Sequence, residues 1–158
     1  MPAALSFAGC ARISIQDCDF RHIGQTAVAF TGGESDYRTL WTDAHESCAN
    51  PKAHSLSGAH QVDPTTPGAS QSQVSRSNFT DISCSAVQLG AFGDAWAPPE
   101  RQNRQLVVSD SVVRATPAEF HGCAGIIAGY LRDSTITHND LRGVRLCCFL
   151  DLSRFASR

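Results

Sequence analysis

The chain has 158 residues, 42% of them apolar and 18% charged. That balance excludes intrinsic disorder and collagen, and the length excludes an array of large domains. Thirteen Lys+Arg against fifteen Asp+Glu leave a net charge of −2, so no basic nucleic-acid surface is expected, and no apolar run approaches the ~18 residues of a membrane span.

In chain order, Met1 leads through Pro2-Ala3-Ala4-Leu5 into patterned sequence by Ile13 with no basic n-region. The expectation is that the protein is not secreted or that its true N-terminus is missing. From there an internal repeat dominates. Residues 15–30 align without gaps onto 74–89 at an offset of 59: Phe20 matches Phe79, Ile23 Ile82, Ala27 Ala86 and Val28 Val87, while Ile15/Val74, Asp19/Asn78 and Phe30/Leu89 are near-equivalents. A third copy runs from Val108 to Val113 and, after five extra residues, resumes at Gly125-Ile126; a fourth reads Ile136, Leu141, Val144.

The shared template is apolar at positions 0, +5, +8, +13 and +15, with a small residue at +12. On a helix these positions scatter, +13 falling at about 220° from the first. A single strand fails too, because 0 and +5 fall on opposite faces. The chain must bend between short segments that each aim one or two apolar side chains at a shared interior. This predicts an all-β parallel solenoid of about four to five coils, with three strands and three corners per coil and rungs about 4.8 Å apart.

Spacing supports the prediction. Val108 to Ile136 is 28 residues, or 23 without the five extra, a reasonable coil. The larger spacings from Ile15 to Val74 and from Val74 to Val108 place loop insertions at 31–70 and 90–105. Both follow the +15 strand, so they are expected to leave neighbouring coils at one corner.

The stretches Ile13-Ser-Ile-Gln-Asp-Cys-Asp-Phe-Arg-His-Ile-Gly-Gln-Thr-Ala-Val-Ala-Phe30 and Ile136-Thr-His-Asn-Asp-Leu141 resemble the recurring coil of right-handed parallel β-helix proteins of the pectate-lyase-like superfamily. Glu119-Phe-His-Gly-Cys-Ala-Gly-Ile-Ile-Ala-Gly-Tyr130 resembles segments of large β-helix proteins that act on carbohydrate. The resemblance implies an Asn or Asp at a tight corner before the +5 residue, and a polysaccharide or glycan as partner. Because this superfamily holds lyases, hydrolases, esterases and inert fibres, it specifies fold better than activity.

Residues 1–144 are therefore read as coils, and 145–158 as a non-repeat tail, since Leu146-Cys-Cys-Phe-Leu-Asp-Leu breaks the pattern after Val144. The expectation is a fragment of a longer extracellular β-helix whose remaining coils are its partner, the tail arising from a wrong gene-model boundary. The alternative is a short protein with an apolar C-terminal cap.

For chemistry, Glu119 and His121 lie in the third-coil insertion, with Asp94 and Asp133 the nearest carboxylates expected from coil stacking. Two carboxyl groups flanking a bond are what glycoside hydrolysis requires, so these four are the candidate catalytic residues. Trp96, Trp41 and Tyr37 are loop aromatics suited to stacking on sugar rings, and Arg101 is a candidate donor to sugar carboxylates. The alternative is a glycan-binding module without catalysis, or an inactive truncated product. Asp17, Asp19, Asp81 and Asp110 fall in different coils and phases, so no metal site and no cofactor are expected. Seven cysteines show no Cys-x-x-Cys pair. Cys18, Cys84 and Cys123 are read as apolar fillers or corner residues, with disulfide pairing left open.

Overall fold

The computed structural model describes residues 3–31, 67–90, 98–120, 123–144 and 147–151. Every regular element among them is a short strand: β1 (Ala3–Ala8), β2 (Ser14–Gln16), β3 (Asp19–Ile23), β4 (Thr26–Thr31), β5 (Ser70–Ser75), β6 (Asn78–Ile82), β7 (Val87–Leu89), β8 (Arg104–Ser109), β9 (Val112–Arg114), β10 (Ala124–Ala128), β11 (Thr135–Thr137), β12 (Asp140–Arg142) and β13 (Cys147–Asp151). No helix among the described residues is long and apolar enough to cross a membrane.

Strands pair in parallel, and never with a sequential neighbour. Sheet A has the order β1-β4-β7-β10-β13, sheet B β11-β8-β5-β2 and sheet C β12-β9-β6-β3. The chain passes through B, C and A and then starts again one rung further on. That is a parallel β-solenoid, the all-β architecture expected from the repeat.

Register repeats the sequence offsets. Ile15, Val74, Val108 and Ile136 align across sheet B. Phe20, Phe79, Val113 and Leu141 align across sheet C, and Val28, Val87 and Ile126 across sheet A. These columns fill the lumen, where Val74, Phe79, Val87, Val108, Val113 and Ile126 are fully buried. Equivalent rings stack directly: Phe20 on Phe79 at 4.9 Å, nearly parallel, and Phe7 on Phe30 at 5.2 Å.

Corners are built by single residues in the left-handed region, repeated rung by rung. Arg12, Gln71, Gln105 and Asp133 turn the chain from A into B; Asp17, Arg76, Asp110 and His138 turn it from B into C; His22 and Asp81, near the ends of β3 and β6, and Ala115 and Gly143, just after β9 and β12, occupy the next corner. Non-glycine residues pay about 1–2 kcal/mol for such a conformation, so the stacked rungs must hold them there. The expected Asx corner before +5 is corrected: Asp19, Asn78 and Asp140 open β3, β6 and β12, while the turn lies two residues earlier.

The corners free backbone N–H groups that side chains of the next rung then accept. At the B-to-C corner, Cys18 N–H donates to Ser77 Oγ at 3.3 Å, Ser77 N–H to Ser111 Oγ at 3.2 Å, and Ser111 N–H to Asn139 Oδ1 at 3.0 Å. At the A-to-B corner, Ile13 N–H donates to Ser72 Oγ, Leu106 N–H to Ser134 Oγ and Ala69 N–H to the buried Asn103 Oδ1, all within 3.0 Å. These bonds satisfy groups that would otherwise be buried without partners.

Two further expectations change. Cys147–Asp151 pairs with β10 in the register Ile126↔Phe149, so the stretch read as a tail supplies a fifth strand to sheet A. The repeat continues there because Phe149 keeps the +13 position, although Asp151 replaces the apolar +15 residue. Cys84 and Cys123 are not fillers: they form a disulfide with Cα atoms 5.2 Å apart, tying the third-coil insertion to the second coil. Cys18 stays free and half-buried, its Sγ donating to Gln16 O.

Candidate functional site

The three outer faces differ in character. On sheet A, the column Ala29, Gln88 and Ile127 is at most 6% exposed, so β4, β7 and β10 are buried on both sides, while the edge strand β1 is largely exposed. On sheet C, the outward positions carry Asp19, Arg21, Arg114, Asp140 and Arg142, with Asn78, Thr80 and Val112 between them. On sheet B, the outward rows are Ser14, Gln73, Val107, Thr135 and Gln16, Ser75, Ser109, Thr137, with no charge in either. These rows follow from strand alternation, since Ile15, Val74, Val108 and Ile136 between them point inward.

Charged groups near sheet B sit at its margins. At the B-to-C corner, Arg76 Nε and Nη2 donate to both Asp17 carboxylate oxygens at 2.8 Å, and His138 Nδ1 lies 3.7 Å from Asp110. The Arg76 hydrogen bonds hold the Asp17 carboxyl below its ordinary value, and the same contact raises Arg76. On sheet C, hydrogen bonding from Arg21, aided by Asn78, likewise lowers Asp19, and His22 Nδ1 lies 2.7 Å from Asp81 across the rung.

At the opposite margin the outer face forms an open concavity of about 360 Å³, lined by Arg12, Ser14, Gln71, Gln73, Gln105 and Val107 together with Ile13 and Ser72. Arg12, Gln71 and Gln105 occupy one left-handed corner position on successive rungs, and all three are exposed. Their side chains present a guanidinium and two carboxamides along one edge, and Gln73 Nε2 donates to Ser14 Oγ on the floor at 3.0 Å. Such a row offers donors and acceptors to a polyhydroxylated ligand. Sequence reading missed it because the corner positions share geometry and no residue type; the common offset of Arg12, Gln71 and Gln105 was the available signal.

The sequence-predicted residues are dispersed. Glu119 lies between sheets C and A, exposed, its N–H donating to Ser83 O at 3.2 Å. Asp133 lies between sheets A and B, exposed, 3.6 Å from Arg132 Nε. The five residues of β10 separate them, about 13 Å of extended chain. That length is greater than the roughly 5–9.5 Å between paired glycosidase carboxyls, and the two residues flank opposite ends of β10. Arg101 is half-buried in the turn before β8, its N–H donating to Pro98 O at 2.8 Å. Asp94, Trp96, Trp41, Tyr37 and His121 lie outside the described residues. Among the described residues, no three His, Cys, Asp or Glu side chains converge to hold a metal ion. Comparisons with protein families, curated proteins and solved structures find no match to this chain.

Proposed function

We propose that the chain is a right-handed parallel β-helix of the pectate-lyase-like kind that binds glycan without turning it over, as a module of an extracellular carbohydrate-processing protein. The observation that carries this reading is the concavity on sheet B, edged by Arg12, Gln71 and Gln105 and floored by Ser14 and Gln73. Right-handedness is supported by the strong chiral preference of connections between parallel strands of one sheet. The Cys84–Cys123 disulfide supports an oxidising compartment. Half-buried apolar side chains at both ends of the stack, Ile13, Phe20 and Ile23 at one and Leu131, Ile136 and Leu141 at the other, support further coils of a parent chain as partner.

Binding is favoured over hydrolysis by the pair Glu119 and Asp133 because β10 lies between them along the chain, while the pair Glu119 and Asp94 falls outside the described residues. The test is titration of the full chain with oligosaccharides, alongside an assay for new reducing ends. Arg12→Ala combined with Gln71→Ala should abolish binding, whereas Glu119→Gln and Asp133→Asn should leave it unchanged. Release of reducing ends that disappears in Glu119→Gln would replace this reading with a hydrolase.

A further inference from the structure

We infer that the glycan is uncharged and extends from the concavity across the outer face of sheet B, with the Ser75 hydroxyl as a buried contact; this rests on the glycan-binding reading above. Ser75 lies in the outward row with Gln16 and Ser109, is only 5% exposed, and its Oγ has no hydrogen-bond partner among the described residues. The nearby corner serines are all engaged: Ser72, Ser77 and Ser111 Oγ each donate to a carbonyl two residues back. A buried hydroxyl left without a partner is costly, and a ligand hydroxyl reaching between Gln16 and Ser109 would satisfy it.

Charge selects the ligand class. None of the eight side chains in the two outward rows of sheet B is ionisable, so beyond Arg12 at the edge of the concavity those rows offer an acidic sugar no counter-ion. At the B-to-C margin the cations are already committed, Arg76 to Asp17, with Asp110 beside His138. A neutral chain loses no hydrated charge on docking, and it can trade its water contacts for Ser, Thr and Gln groups repeating every rung. Arg104 and Arg132, paired across adjacent rungs at the A-to-B corner, define the competing outcome: an acidic chain held at that corner and not on the strip.

The test is calorimetric titration of the full chain with cellohexaose, xylohexaose and mannohexaose, and separately with oligogalacturonate. The expected result is binding of a neutral hexaose, weakened about 2–10-fold by Ser75→Ala, the worth of one hydrogen bond. Gln16→Lys, which puts an ammonium on the strip, should weaken it at least as much, and Arg21→Ala on sheet C should leave it unchanged. Neutral binding that is indifferent to Ser75→Ala and Gln16→Lys would overturn the inference. So would binding of oligogalacturonate alone, lost in Arg104→Ala with Arg132→Ala, although glycan binding itself would then stand. Retention of neither class would overturn both.

Discussion

One template position has two different environments along the stack. Phe79 and Val113, on the middle rungs of sheet C, are fully buried, whereas Phe20 and Leu141 in the same column on the outermost rungs are half-buried. Apolar character and inward direction are shared. What differs is the number of neighbouring rungs, two in the middle and one at an end. A solenoid side chain is thus buried by its neighbours above and below more than by its own coil, so stability resides in the interfaces between rungs.

The sharpest way to break that comparison is to truncate the same column at both kinds of site. Phe79→Ala removes a fully buried ring sandwiched between Phe20 and Val113, and should cost about 3–5 kcal/mol. Phe20→Ala should cost about half as much, because the remaining space opens to solvent and leaves no sealed cavity. Urea denaturation of both variants measures this. Equal losses would mean that the end rungs are covered as well as the middle ones.

A somewhat smaller effect separates chain entropy from packing. The Cys84–Cys123 disulfide spans a sequence separation of 39 residues and ties two middle rungs together. Replacing both cysteines by serine should lower stability by about 2–4 kcal/mol, with hydrogen exchange increasing first in residues 115–120. Exchange that increased first in β2 and β3 would show that the ends depend on the bridge, against the nearest-neighbour picture.

The lumen was legible in the sequence because apolar side chains there must recur at each rung: Ile15, Val74, Val108 and Ile136 match the register seen in sheet B. Corners were legible only as spacing. Arg76, Asp110 and His138 share a left-handed backbone and no chemistry, because stacked hydrogen bonds impose that conformation without requiring glycine or Asx; Gly143 is the exception at its corner. The strand at Cys147–Asp151 was hidden by Asp151 at an apolar position, although Phe149 keeps its place. Pairing of Cys84 with Cys123 depends on an insertion folding back, through Glu119 and Phe120 N–H to Ser83 O, and no periodicity encodes that. The concavity was missed for the same reason as the corners, since Arg12, Gln71 and Gln105 share a place and not a type.

The smallest expected effect concerns the charged link between the first two coils. Asp17 and Arg76 join neighbouring rungs, whereas Asp19 and Arg21 pair within β3 and reach the next rung only through Asn78 Nδ2. Both carboxyls are held below their ordinary value, chiefly by the arginine hydrogen bonds. A depressed folded pKa means that the stabilisation is complete above the unfolded value of about 4 and is lost as pH falls through the folded value. Acidification below about pH 4 should therefore loosen β2 and β3 ahead of the middle rungs, by less than either change above, because the pair is exposed and screened by salt. Asp17→Asn should reproduce that loosening at neutral pH and flatten the acid limb in amide exchange of β2, while Asp19→Asn should do so more weakly. If the two variants behaved alike, a link between rungs would count for no more than a link within one, and the lesson drawn from Phe20 and Phe79 would be confined to apolar contacts.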